Sequence, residues 1–224
     1  MSGGGLLELY LLNIACLKKA DMFFKYYAEC PRFYREKIDK LNNIDDKCRS
    51  LACGLLFLKG LQERCISADN AEILLSKHGK PYLKCGSTFF NFSHSGEYVA
   101  AVFSDAEVGV DIEMHREVNL KIAERYFKTS EYEHLCSISD CEVRQKEFFR
   151  LWVRKESLLK AVGVGLCVPL NSFEVLDDNY GVIEICFEGG KYRIFEYDVP
   201  GYSLAVCHSR KRHTAMPEIQ NICL

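Results

Sequence analysis

Chemistry first shows at Val108-Gly109-Val110-Asp111-Ile112-Glu113. Strand side chains alternate between faces, so as a strand this stretch places Val108, Val110 and Ile112 on one side and Asp111 and Glu113 on the other. A wet acidic strand face would account for the two acids. Like charges at neighbouring positions repel, however, and strands disfavour Asp, so a cation opposite them accounts for the pair better. Gly109, on the same face as the acids, is expected to leave room for a ligand. A second candidate is the helix around Leu151-Trp152-Val153-Arg154-Lys155-Glu156-Ser157-Leu158-Leu159-Lys160. At about 100° per residue, Arg150, Arg154, Ser157 and Ala161 form a strip expected to face solvent, with Phe148, Trp152 and Leu159 opposite. Lys155 and Glu156 fall beside the apolar stripe and Lys160 on its flank, where charges need partners. A Glu156–Lys160 pair at i, i+4 would satisfy two of them and leave Lys155 unexplained.

Glu156 joined to Asp111 and Glu113 makes an all-oxygen donor set, suited to magnesium rather than zinc. Magnesium takes few protein ligands and shares its shell with water and phosphate, so three acids beside Lys155 and Lys160 point to phosphoryl-group chemistry. A third candidate combines Gly79-Lys80-Pro81 with Asn91-Phe92-Ser93-His94-Ser95-Gly96. Its hydroxyls, imidazole and turn N–H groups could meet an anion. Without a G-x-S-x-G elbow or an acid partner for His94, a serine hydrolase finds little support. Arg49 and Lys37 are further phosphate candidates, with solvated helix charges as the ordinary alternative.

These residues need elements to hold them. Hydrophobic spacing predicts a strand over 6–15, a helix over 31–42 and a long helix over 44–65, started by Asp45 and Asp46. Ile73-Leu74-Leu75, turn residues and Lys80 to Leu83 lead into three expected strands, at 89–93, 98–103 and 108–114, with antiparallel neighbours where connections are short. Beyond them come a helix from about Ser130, a long helix over 142–162, and strands near Phe173, Ile183, Tyr192 and Leu204. Gly181, Gly189-Gly190 and Pro200-Gly201 mark turns between these strands. The fold class is therefore α/β in the α+β sense: two similar halves, each a small antiparallel sheet with helices. Residues 1–105 form the first half, 106–209 the second and 210–224 a tail, with basic Arg210-Lys211-Arg212-His213 read as solvated.

The chain has 224 residues, 48% of them apolar, and a formal net charge of −2. Neither figure suits a disordered chain, and the charge gives no general attraction to nucleic acid or an anionic membrane. No apolar run approaches the roughly 20 residues of a membrane span, and Met1-Ser2-Gly3-Gly4-Gly5 lacks a signal-peptide pattern, so a cytoplasmic protein is expected. Twelve cysteines are scattered without C-x-x-C spacing. Nearly all are expected to be free thiols packed in the core, as in Ile185-Cys186-Phe187 and Val206-Cys207.

Taken together, Gly79-Lys80-Pro81, Phe90-Asn91-Phe92-Ser93-His94-Ser95, Val108 to Glu113 and Trp152 to Lys160 resemble the ordered motifs of the 4′-phosphopantetheinyl transferases, most closely the long, monomeric Sfp type. The resemblance spans roughly Pro31 to Cys207, with Val153 departing mildly from the small or hydroxyl residue often found there. It implies a pseudo-twofold fold and transfer of the 4′-phosphopantetheine arm of coenzyme A to a serine of an acyl or peptidyl carrier protein, with adenosine 3′,5′-bisphosphate released. By position, Asp111, Glu113 and Glu156 would hold magnesium on the pyrophosphate and Lys160 would neutralise that group. Lys80 and Pro81 would line the nucleotide side, Ser93, His94 and Arg49 would lie near its phosphates, and Lys37 would join them. Glu156 would accept the serine proton. Glu131 falls where the family often has an acid of undefined role. The competing readings are a magnesium-dependent phosphoesterase and a non-catalytic coenzyme A binding protein.

Overall fold

The structure is a computed structural model that describes residues 7–68, 71–84, 86–177, 181–209 and 215–224. The opening glycines, Cys85 and Arg210 to His213 lie outside the described residues. In the first half, β1 (Leu7–Asn13) is followed by α1 (Ala20–Glu29), α2 (Arg32–Ile38) and α3 (Ile44–Glu63), the hairpin β2 (Ile73–Leu75) and β3 (Pro81–Leu83), then β4 (Phe89–Ser95) and β5 (Tyr98–Ser104). The second half runs β6 (Val108–Met114), α4 (Lys121–Tyr126), α5 (Thr129–Ser137), α6 (Cys141–Val162), β7 (Val182–Phe187), β8 (Gly190–Val199) and β9 (Tyr202–Ser209), with β10 (Ile219–Ile222) closing the chain. Among the described residues no helix is long and apolar enough to cross a membrane.

Local signals set the long helices. Asn43 accepts from the N–H groups of Asp45 and Asp46 at the start of α3, and Asp140 does the same for Glu142 and Val143 at α6. These caps satisfy first-turn amides that no helical carbonyl reaches. At its other end α6 stops at Gly163, whose φ of 79° suits glycine.

Two four-stranded sheets result, ordered β10-β1-β5-β4 and β6-β9-β8-β7. Each half has its own core, one gathered around Leu51, Phe57, Phe90 and Phe103, the other around Phe148, Leu158 and Ile194. A third core joins them, combining Leu9, Leu11, Ala100 and Val102 with Val108, Val110, Ile112 and Val206. The sheet alternation of β6 is thus realised: its valines and isoleucine face this shared core. Strands β4 and β6, from different sheets, are bridged by side chains. Asn91 Oδ1, Ser93 Oγ and Ser95 Oγ accept from the N–H groups of Val110, Ile112 and Met114 at 3.0, 3.3 and 3.1 Å.

Several expectations need correction. The strip Arg154, Ser157 and Ala161 does not face solvent: all three are buried, because α6 is packed against both β6 and β9. Arg154 grips Glu196 of β8 with two 2.8 Å bonds, a bidentate geometry that allows a guanidinium to be buried. Phe173 lies in no strand; it follows a short 3-10 turn, Leu170–Ser172. The chain end is more than a tail, since Ile219–Ile222 pairs in parallel with β1. The described cysteines are all free, but only Cys30, Cys48, Cys53 and Cys207 are buried. Cys186 is exposed because it lies on the outward side of the edge strand β7.

Candidate active site

Gly109 explains how β6 and α6 meet. A Cβ there would lie 2.2 Å from Ser157 O and 2.4 Å from Ala161 N. The missing side chain therefore makes room for the backbone of α6, not for a ligand as expected. This close approach brings Glu156 and Lys160, near the C-terminal end of α6, beside the acidic face of β6. Lys160 Nζ donates to Asp111 Oδ1 at 2.6 Å, Ser93 Oγ at 3.1 Å and Val110 O at 3.2 Å. Its short contact is with Asp111, not with Glu156 four residues earlier. Ser93 Oγ also donates to Asp111 Oδ1 at 2.8 Å. Glu113 accepts from Ser95 Oγ at 3.0 Å and from Arg116 at 3.1 Å.

Asp111, Glu113, Glu156, Lys160, Ser93 and His94 all line one cavity of about 960 Å³, at the upper end of the usual range for ligand pockets. Phe92, Trp152, Tyr126, Val168, Pro169 and Leu170 give it an apolar side, and Arg125 and Asn171 complete it. Two carboxylate oxygens of its lining, Asp111 Oδ2 and Glu156 Oε1, are buried without a hydrogen-bond partner. Buried acceptors are rarely left so. Burial pushes the Asp111 carboxyl above its ordinary value despite Lys160 and Ser93. It does the same for Glu156, reinforced by the charge of Asp111 and opposed by Lys160.

Cations gather on the first-half side. Arg49, on α3, donates to Gly96 O at 3.0 Å and pairs with Asp46 at 2.6 Å. Burial lowers the His94 pKa, and the positive charges of Arg49, Lys37 and Lys160 add to that effect. Lys37 itself is exposed on α2. Lys80 and Pro81 do not line this cavity but a smaller one of about 180 Å³ with Ala161 and Gly163. There Lys80 Nζ donates to Val108 O at 3.1 Å and Ala161 O at 2.9 Å, tying β6 to the last turn of α6, and burial lowers its pKa to about 8.

Lys155 and Glu131, unexplained in sequence, are partners: both are fully buried and their charged atoms stand 2.8 Å apart. Asn91 and Ser95, expected with Ser93 to meet an anion, instead carry the seam, and the residues that sequence reasoning missed are Tyr126, Arg125 and the segment 168–171, which build the wall. Polar residues at every second position of β4 were a legible signal for the seam. Nothing local marks the wall.

Comparison with known proteins decides the family. The model of the 4′-phosphopantetheinyl transferase superfamily (ACPS) matches residues 107–207. Over 190 residues the chain is 34% identical to 4′-phosphopantetheinyl transferase Sfp of Bacillus subtilis (strain 168), an alignment covering 82% of this chain and 83% of that protein. The chain belongs to the 4′-phosphopantetheinyl transferase superfamily. Its Sfp type is supported again by 36% identity over 170 residues to 4′-phosphopantetheinyl transferase gsp of Aneurinibacillus migulanus, covering 74% of this chain and 70% of that one. Holo-[acyl-carrier-protein] synthase (AcpS) of Thermotoga maritima is a distant structural likeness, with TM-score 0.34 and 19% identity over 48% of this chain and 64% of that chain. The alignment to Sfp takes in both halves of this phosphopantetheinyl transferase, whereas the superfamily model matches chiefly the second.

Proposed function

We propose that this phosphopantetheinyl transferase moves the 4′-phosphopantetheine group from coenzyme A to a serine of an apo acyl or peptidyl carrier protein, with magnesium bound, and releases adenosine 3′,5′-bisphosphate. The observation that carries the reading is the pair of partnerless buried oxygens, Asp111 Oδ2 and Glu156 Oε1, in a cavity that also presents Lys160. An all-oxygen set with unmet acceptors fits magnesium. Asp111, Glu113 and Glu156 would hold it. Among the described residues no three such donors are already gathered into a cage, and a metal with few protein ligands does not require one. When bound, magnesium supplies charge neutralisation on the pyrophosphate.

The protein's own residues do the rest. Lys160 neutralises the same pyrophosphate, and Ser93, His94, Arg49 and Lys37 offer cationic and hydroxyl contacts to the nucleotide phosphates. Lys80 and Pro81 border the nucleotide side from the smaller cavity. The carrier serine oxygen bonds to the phosphorus that bears pantetheine, and the bond from that phosphorus to the bridging oxygen breaks. The leaving bisphosphate takes the electron pair, where Lys160 stabilises the charge. Glu156, whose proton affinity is raised by burial, accepts the serine proton. The cleft is built within one chain from the halves 1–105 and 106–209, supporting action as a monomer, and the free thiols suit a reducing cytoplasm. The test is incubation with coenzyme A, magnesium and apo carrier domains, read as phosphopantetheine added to the carrier. No addition to any carrier would overturn it.

A further inference from the structure

We propose that Lys155 and Glu131 are positioning residues that set the apolar wall of the cleft and so govern binding of the pantetheine arm; the proposal rests on the transferase reading above. Both side chains are fully buried in the second half. Apolar replacements of a buried ion pair are often neutral or stabilising, so such a pair is weak evidence for stability. Its geometry shows another use. Besides Glu131, Lys155 Nζ donates to Leu170 O at 2.8 Å and Phe173 O at 2.7 Å. Glu131 Oε1 accepts from Val175 N at 2.8 Å, while its other oxygen accepts from Lys128 N at 2.9 Å. The ammonium also stands 4.5 Å from the Phe173 ring centre.

The pair therefore fixes three backbone groups between 170 and 175, a stretch that belongs to no sheet. Helices and strand ladders fix most other backbone in this half; here a three-donor ammonium and a carboxylate take that role. The residues just before and within this stretch, Val168 to Asn171, are the cleft wall. Lys155 precedes Glu156 in α6, so the same helical turn holds the wall and presents the proton acceptor. The cavity is polar around Asp111, Glu156 and Lys160 and apolar along Trp152 and 168–170, which leaves that apolar side for the uncharged arm.

The test is the double variant Lys155→Met/Glu131→Gln, which leaves no buried charge alone. KM for coenzyme A and kcat are compared with inhibition by adenosine 3′,5′-bisphosphate, which lacks the arm, and with hydrogen exchange over 168–175. The expected result is a KM for coenzyme A raised at least about tenfold, bisphosphate inhibition within about twofold of wild type, and faster exchange in 168–175. Equal changes for both ligands, or none, would overturn the proposal. Should the double variant fail to fold, Glu131→Gln alone keeps both carbonyl contacts of Lys155 and is read by the same split, with a smaller rise expected and an unchanged ratio overturning. A wild-type protein that transfers nothing contradicts the transferase reading itself. An active wild type with an unsplit variant contradicts the positioning role alone.

Discussion

Adding one methyl group at Gly109 should damage both stability and activity, although it touches no proposed ligand. The new Cβ would lie 2.2 Å from Ser157 O, 2.4 Å from Ala161 N and 2.8 Å from the Lys160 carbonyl carbon. Non-bonded carbon contacts settle near about 3.5 Å, so α6 must retreat from β6 by roughly 1 Å. All three neighbours are backbone and cannot rotate away. Overpacking of this kind costs about 1–3 kcal/mol. At about 2–4 °C of melting temperature per kcal/mol for a chain of this length, the midpoint should fall by roughly 2–12 °C. Because α6 carries Glu156 and Lys160 while β6 carries Asp111 and Glu113, the same retreat pulls apart groups that must act together. A displacement of about 1 Å is enough to cost roughly 100-fold in rate. Thermal melting of Gly109→Ala and its kcat/KM for carrier modification are the measurements. Wild-type values of both would refute the strand–helix contact; a lowered midpoint with normal turnover would refute its role in placing the acids.

Three other outcomes follow from the same contacts. Asp111→Asn removes the charge from the 2.6 Å contact with Lys160, worth about 1.5–3 kcal/mol for a charge-assisted bond. Burial works against the same charge, so the variant should melt cooperatively near the wild-type midpoint, with turnover reduced about 100-fold or more, and near-normal turnover would contradict the proposed metal and phosphate role. Burial alone would raise the Glu196 carboxyl, but Arg154 and Arg150 more than offset this and hold it below its ordinary value of 4.5. The stability it contributes is complete above that value and lost as pH falls through the lowered one. Acid titration of Glu196→Gln should therefore show a shallower loss of stability below pH 4.5 than wild type, and identical curves would contradict the pairing. Finally, since all described cysteines are free, a thiol reductant should change neither the melting midpoint nor activity, and a loss of either would show an unsuspected disulfide.

Much of the scaffold could be read from sequence because its signals are local. The capped start and leucine spacing of α3 and the alternation of β6 each lie within one element. The helical wheel misplaces Arg154 and Ser157 because polar side chains need not face solvent when a buried partner or carbonyl satisfies them. The partner that buries Arg154 is Glu196, forty-two residues away on β8. The seam residue Ser93 was noticed for its hydroxyl, but the strand it bridges to was not deducible from spacing. β10 pairs with β1 across nearly the whole chain, and four residues carry too little pattern to announce it. The strand expected near Phe173 does not form; the backbone there is instead held by Lys155 and Glu131. The acids and Lys160 were legible as types in order. Their hydrogen bonding was not, and Lys160 proved to sit on Asp111 rather than on its helical neighbour.

The most direct test of the central claim is intact-mass measurement of apo carrier domains incubated with the protein, coenzyme A and magnesium. The account predicts the mass of one 4′-phosphopantetheine added at the carrier's serine, matched by release of adenosine 3′,5′-bisphosphate and slowed about 100-fold or more in Asp111→Asn. Unmodified carriers across acyl and peptidyl types, or release of the bisphosphate without any modified carrier, would contradict it.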